Sequence, residues 1–175
     1  MRYYELKVDF ESLRGEMIKQ SFVLFLKELD QELDQSAKKL YVTVQPDLNY
    51  DGYDYKAIGN IADKVILMAH DYSAKELTEY EMNIGYTETP LTPIKEVYSS
   101  LKPITDKEDG IEDSKKIWLQ ISFDSVQWKL RDEKVIKASA DRPNYEKIRQ
   151  RLNRNNVEIS YSDFYRNPYA KFYDQ

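Results

Sequence analysis

The run Lys64-Val65-Ile66-Leu67-Met68-Ala69-His70 sets the tightest limit on what this chain can fold into. It is nearly all apolar and ends in the polar pair Asp71-Tyr72. Strands that face solvent on one side alternate polar and apolar residues. A continuous apolar run belongs to a strand buried on both faces, which means a parallel sheet with helices outside it. Parallel neighbours cannot be joined by a tight turn, so long crossovers, usually helical, must lie on either side of this strand.

The flanking sequence supplies them. Leu6-Lys7-Val8-Asp9-Phe10-Glu11 reads as a first short strand, with Ser12 as the cap of a following helix. From about Gly15 to Gln35, Ile18, Phe22, Phe25 or Leu26, Leu29 and Leu33 recur at spacings of three and four, the stripe of an amphipathic helix. Lys39 to Pro46 is a second strand, stopped by the proline. A loop rich in Tyr and Asp (Asp47 to Asp54) leads to a short helix over Tyr55 to Ile61, and the apolar run is the third strand. A long polar loop from Ser73 to Thr89 precedes a helix opened by Pro90-Leu91-Thr92-Pro93, with Ile94, Val97, Tyr98 and Leu101 on one face and Pro103 after it. Ile117 to Phe123 is the fourth strand. The order β-α-β-α-β-α-β predicts right-handed crossovers and a parallel α/β sheet. Beyond Trp128 the pattern breaks down. Lys129 to Ala140 suggests a hairpin-like extension. Pro143 to Asn153 suggests a short helix with Tyr145, Ile148 and Leu152 inward, and the tail from Ile159 is crowded with aromatics. No internal repeat or low-complexity linker marks a domain boundary.

Composition narrows the function classes. Acidic residues outnumber basic ones by 31 to 26, and the net charge is −5. That balance argues against a nucleic-acid partner, whose affinity would rest on clustered Lys and Arg. No apolar stretch approaches the roughly 20 residues of a membrane span, and Arg2, Glu5 and Lys7 break any signal-peptide pattern at the start. The chain has no cysteine, hence neither a disulfide framework nor a thiolate metal site. It has fifteen Tyr and a single His. Tyr suits stacking on sugar rings, but it is equally at home in strands and packed loops.

Asp9 and Glu11 are the first candidates for chemistry. Residues two apart on a strand share a face, so the strand would deliver both carboxylates to one place at its C-terminal end. Paired carboxylates in a site poor in water cannot both ionise freely, and a Glu kept protonated near neutral pH can act as a general acid.

In order along the chain, these pieces resemble glycoside hydrolase family 18, the chitinase and spore-cortex-lytic group. Val8-Asp9-Phe10-Glu11 matches the last part of the family's D-G-x-D-x-D-x-E signature. Tyr41-Val42-Thr43-Val44-Gln45-Pro46 looks like the next strand. Asp54-Tyr55, Ile58-Gly59 and Ala62-Asp63 match a run that precedes the family's M-x-Y-D strand, where Met68-Ala69-His70-Asp71-Tyr72 stands here. Thr92-Pro93-Ile94, Lys116 to Ile121 and Trp128 resemble the helix and strand after it, so the likeness extends from about residue 3 to residue 130.

The resemblance implies a partial TIM (β/α)8 barrel. The four strands would be the fourth to seventh of eight, residues 1–130 the barrel part and residues 131–175 an excursion after the seventh strand, with three strands missing before Met1 and one after Gln175. Active sites of such barrels lie at the C-terminal ends of the strands. It further implies cleavage of β-1,4-linked N-acetylglucosamine polymers, peptidoglycan or chitin, in a secreted or cell-envelope setting. The acid is Glu11, and the nucleophile is the substrate's own acetamido carbonyl rather than a second carboxylate. Asp9 would orient the acetamido N–H, and Asp71 would be its partner near the cleaved sugar. His70, Tyr72, Met68, Gln45 and Trp128 would line the substrate site. No metal or organic cofactor is called for. Departures stand beside the match. Tyr4, Glu5 and Lys7 occupy signature positions that the family gives to Asp, Gly and Asp, and His70 stands where the family has Tyr. A His can donate the same hydrogen bond, but it is as readily a satisfied core residue. Trp128 is as readily core as a sugar platform. The alternative function is a carbohydrate-binding relative without turnover, or an inactive fragment. A four-stranded piece also leaves two open sheet edges, which favour self-association.

Overall fold

The structure is a computed structural model that describes residues 4–46, 50–70, 72 and 76–173. Its elements run β1 (Glu5–Val8), α1 (Glu16–Asp34), β2 (Lys39–Val44), α2 (Tyr55–Ile61), β3 (Lys64–Met68), α3 (Glu79–Asn83), α4 (Ile94–Ile104), β4 (Ile117–Gln120), β5 (Leu130–Arg131), β6 (Lys134–Val135), α5 (Tyr145–Leu152), β7 (Val157–Ser162) and β8 (Asn167–Phe172). They gather into two compact units, one of residues 1–70 and 96–121, the other of residues 71–95 and 122–175.

The first unit holds the four-stranded sheet, order β1-β2-β3-β4, with every neighbouring pair parallel. Register assigns the faces, because side chains of paired residues in parallel strands point the same way. One face carries Val8, Leu40, Val42, Val44, Val65 and Leu67, all buried. The side chains of α1 cover it at β1, where the ring of Phe10 packs on Phe22 and Phe25. Phe22, Leu26 and Leu33 are the buried stripe of α1. Ile18 and Phe25, expected on that stripe, are partly exposed at its margin.

Several local bonds fix this unit. Lys116 Nζ donates to the Gly59 and Ala62 carbonyls at the end of α2, at 2.7 and 2.9 Å, satisfying acceptors that a helix terminus leaves open. Gly59 lies so close to Ile111 that a Cβ there would come within 2.8 Å of its Cγ2. The Asp63 carboxylate accepts the Leu40 N–H at 3.0 Å, tying the starts of β2 and β3.

Some expectations need correction. The first strand ends at Val8, not at Glu11, and the helix after it is capped by Gly15 (φ 81°) without a side-chain hydrogen bond, not by Ser12. Strands two to four are likewise shorter at their C-terminal ends. Pro103 lies inside the last turn of α4 rather than beyond it. It lacks the N–H that would bond one turn back, and the helix stops one residue later.

The second unit holds the remainder. The polar stretch before residue 90 contains α3, started by a capping box in which the Thr78 side chain accepts the Glu81 N–H while Glu81 accepts that of Thr78. Leu130–Val135 is a hairpin, as expected, turning at Asp132 and Glu133, both in the left-handed region. In α5 the predicted inward residues Tyr145 and Leu152 are 71% and 40% exposed. The aromatic tail is a second hairpin, β7–β8. Its residues alternate as a strand requires, but tyrosine-rich alternation did not separate strand from loop.

Candidate functional site at the C-terminal edge of the sheet

The face of the sheet opposite α1 carries Lys7 on β1, Tyr41 and Thr43 on β2, Lys64, Ile66 and Met68 on β3, and Trp118 and Gln120 on β4, because these residues are in register. Contacts bear this out: Tyr41 meets the Trp118 ring edge-on at 5.7 Å, and Lys64 Nζ sits 5.1 Å from the same ring. All strands being parallel, their C-terminal ends lie along one edge. Asp9 follows β1, Gln45 follows β2, and His70 lies two residues past Met68. Asp9, Gln45 and His70 thus lie just beyond the last ladder pairs of their strands, along that edge. Tyr72 and Trp128 belong to the second unit, and Asp71 lies outside the described residues.

Asp9 shares its face with Lys7, whose ammonium is 3.4 Å from Oδ2, both side chains about two-fifths exposed. Glu11 lies beyond the last ladder pair of β1, in an exposed segment. Its neighbour Ser12 (φ 61°) turns the chain and donates its N–H to the Gln45 side-chain oxygen. Gln45, expected to meet substrate, thus spends its carbonyl on the backbone next to Glu11.

Tyr53 was missed by sequence reasoning. It is buried, and its hydroxyl donates to the Phe10 carbonyl at 2.8 Å. Burial pushes this hydroxyl up to about 12 against a backbone hydrogen bond from Gln45, and the charges of Tyr55, Glu11 and Asp9 add to the rise. The only sequence signal was the Gly52-Tyr53-Asp54-Tyr55 string, of which Asp54 is the cap of α2 through the Ala57 N–H.

In the second unit, the Trp128 indole donates to Thr89 Oγ1 at 2.8 Å, which commits its polar edge to the fold. Tyr72 donates its backbone N–H to the Leu91 carbonyl. Among the described residues no three His, Asp or Glu side chains are grouped to hold a metal ion, and no helix is long and apolar enough to cross a membrane.

Solved structures share this fold. The chain aligns over 99% of its length with ydhD of Bacillus subtilis at 23% identity and TM-score 0.73, covering 54% of that protein. It aligns over 98% with the spore cortex-lytic enzyme SleL of Bacillus megaterium QM B1551 at 21% identity and TM-score 0.74, covering 37%. It aligns over 97% with a chitinase of Chromobacterium violaceum ATCC 12472 at 18% identity and TM-score 0.69, covering 49%. The chain thus spans about half of these relatives or less. No curated protein matches it. The model of the glycosyl hydrolases family 18 matches residues 5–175, nearly the whole chain. The chain belongs to glycosyl hydrolase family 18.

Proposed function

We propose that this chain is part of a glycosidase that cleaves β-1,4-linked N-acetylglucosamine polymers, peptidoglycan or chitin, outside the cell or at its envelope. In this reading the parallel sheet is strands four to seven of an eight-stranded barrel, and the edge bearing Asp9, Glu11, Met68 and His70 is the floor of the cleft. Glu11 is the general acid that protonates the glycosidic oxygen. Asp9 orients the substrate's acetamido group, whose carbonyl oxygen displaces the leaving sugar and forms a cyclic oxazolinium ion. Water then opens that ring with Glu11 as base, and the anomeric configuration is retained. The family resemblance alone adds Asp71, Tyr72 and Trp128 as candidate substrate-site residues. The observation that carries the reading is the match of the family model over residues 5–175, with Asp9 and Glu11 just beyond the first strand of a parallel sheet.

A second reading, a carbohydrate-binding relative or inactive fragment, is favoured by one observation. Lys7 places a cation 3.4 Å from Asp9, on the strand where the family signature has an acid. Turnover of a chito-oligosaccharide and of a peptidoglycan digest, with and without Glu11→Gln, separates the two. The first reading expects a loss of about 100-fold or more in kcat in the variant. Unchanged turnover removes Glu11 from the acid role, and binding without turnover by the unaltered protein selects the second reading.

A further inference from the structure

The last ladder pair between β1 and β2 is Val8–Val42. Two residues further on, the strands are no longer bonded directly. The Tyr53 hydroxyl stands between them, donating to the Phe10 carbonyl at 2.8 Å and taking a backbone hydrogen bond from Gln45. One hydroxyl thus replaces a rung of the ladder and splays the two strand ends at the residue before Glu11.

The other side of Glu11 is held from the same segment. The Gly52 N–H donates to the Leu13 carbonyl at 3.1 Å, and the Gly15 N–H donates to Asp51 Oδ1 at 2.7 Å. The Arg14 guanidinium lies 4.8 Å from the centre of the Tyr50 ring, within cation–π range. A Cβ at Gly52 would fall 2.6 Å from the Leu13 carbonyl carbon and 2.8 Å from the Arg14 nitrogen, so the two backbones meet where only glycine fits. Residues 50–53 therefore grip residues 10–15 on both flanks of Glu11, leaving the Glu11 side chain exposed.

We infer that Tyr53 is a positioning residue: its hydroxyl, wedged between the ends of β1 and β2, fixes the segment Phe10–Gly15 and with it the carboxyl of Glu11. This rests on the reading of Glu11 as the acid. A segment outside a ladder has no regular bonds to restrain it, and misplacement of an acid by about 1 Å can cost about 100-fold in rate. The clamp supplies the restraint that the short strand does not.

The test uses the full 175-residue chain and Tyr53→Phe, which keeps the ring against Phe22 and Tyr55 and removes only the hydroxyl. Amide hydrogen exchange is read over residues 10–15, with the strand segments 40–44 and 64–68 as internal reference. We expect exchange over residues 10–15 to quicken about tenfold, the worth of one lost buried hydrogen bond, with the references unchanged. No change at 10–15, or an equal change in all three segments, overturns the inference. On a chito-oligosaccharide the same variant is expected to lose about tenfold in kcat at unchanged KM. Faster exchange with kcat intact would mean that the clamp does not set the acid, and the inference fails. If Glu11→Gln keeps full turnover, or the unaltered chain shows none, it is the functional reading that falls. The exchange result then decides by itself whether Tyr53 fixes the segment.

Discussion

Tyr53 shows how far a single side chain can be loaded. Its ring lies edge-on to Phe22 and stacked on Tyr55, while its hydroxyl closes the gap between two strand ends. Burial favours the neutral phenol, so the folded-state value is about 12, against an ordinary value of 10.0. The folded protein then holds a proton that the unfolded chain releases first. Stability from this group is complete below about pH 10 and is lost as pH rises toward 12. Two pH units correspond to roughly 2–3 kcal/mol. Urea unfolding from pH 9 to 11.5 (about the range that brackets the change) should show this decline, and Tyr53→Phe should flatten it. Tyr53 was not legible in the sequence. Its partner Phe10 is 43 residues away, and nothing periodic links the two.

Among the elements, β1 depends most on its neighbours. It has four residues and is held by β2 on one side and by Phe10 on the α1 phenylalanines. On α1, Leu26 is fully buried. Leu26→Ala should cost about 2–5 kcal/mol in urea unfolding through lost burial and the cavity left behind. A cost below about 1 kcal/mol would show that α1 is not anchored there. Helix α1 was readable because apolar spacing is a local signal. The ends of β1 to β4 were not, since a strand stops where its ladder stops, and that depends on the neighbouring chain. Tyr145 and Leu152 were misplaced for a related reason. Spacing gives a helix an apolar stripe, but it does not provide a surface to cover it.

For the whole molecule the matter is the sheet. Among the described residues β1 and β4 each pair on one side only, and Leu6, Trp118 and Leu119 on these strands remain 40–48% exposed. Unpaired parallel edges with apolar flanks are templates for further strands. The isolated chain should therefore self-associate, giving a sedimentation coefficient that rises with concentration. Leu119→Lys, which puts a charge on the β4 edge, should weaken that association. A single monomeric species at every concentration would count against it. The sequence announced the parallel sheet, since an unbroken apolar strand between helices has few other solutions. It carried no sign of two compact units, because no composition change marks where one gives way to the other.

Periodicity by itself determined the order of strands and helices around the four-stranded sheet, and that the sheet is parallel. These come from the two-residue repeat of a strand and the three-to-four spacing of a helix, which any stretch of chain carries within itself. Only the tertiary structure decided where β1 ends, that Lys7 pairs with Asp9, and that Gln45, Gly52 and Tyr53 close around Glu11. Those contacts join residues more than thirty positions apart or depend on a side-chain conformation, and they exist only once the sheet has brought the strand ends together.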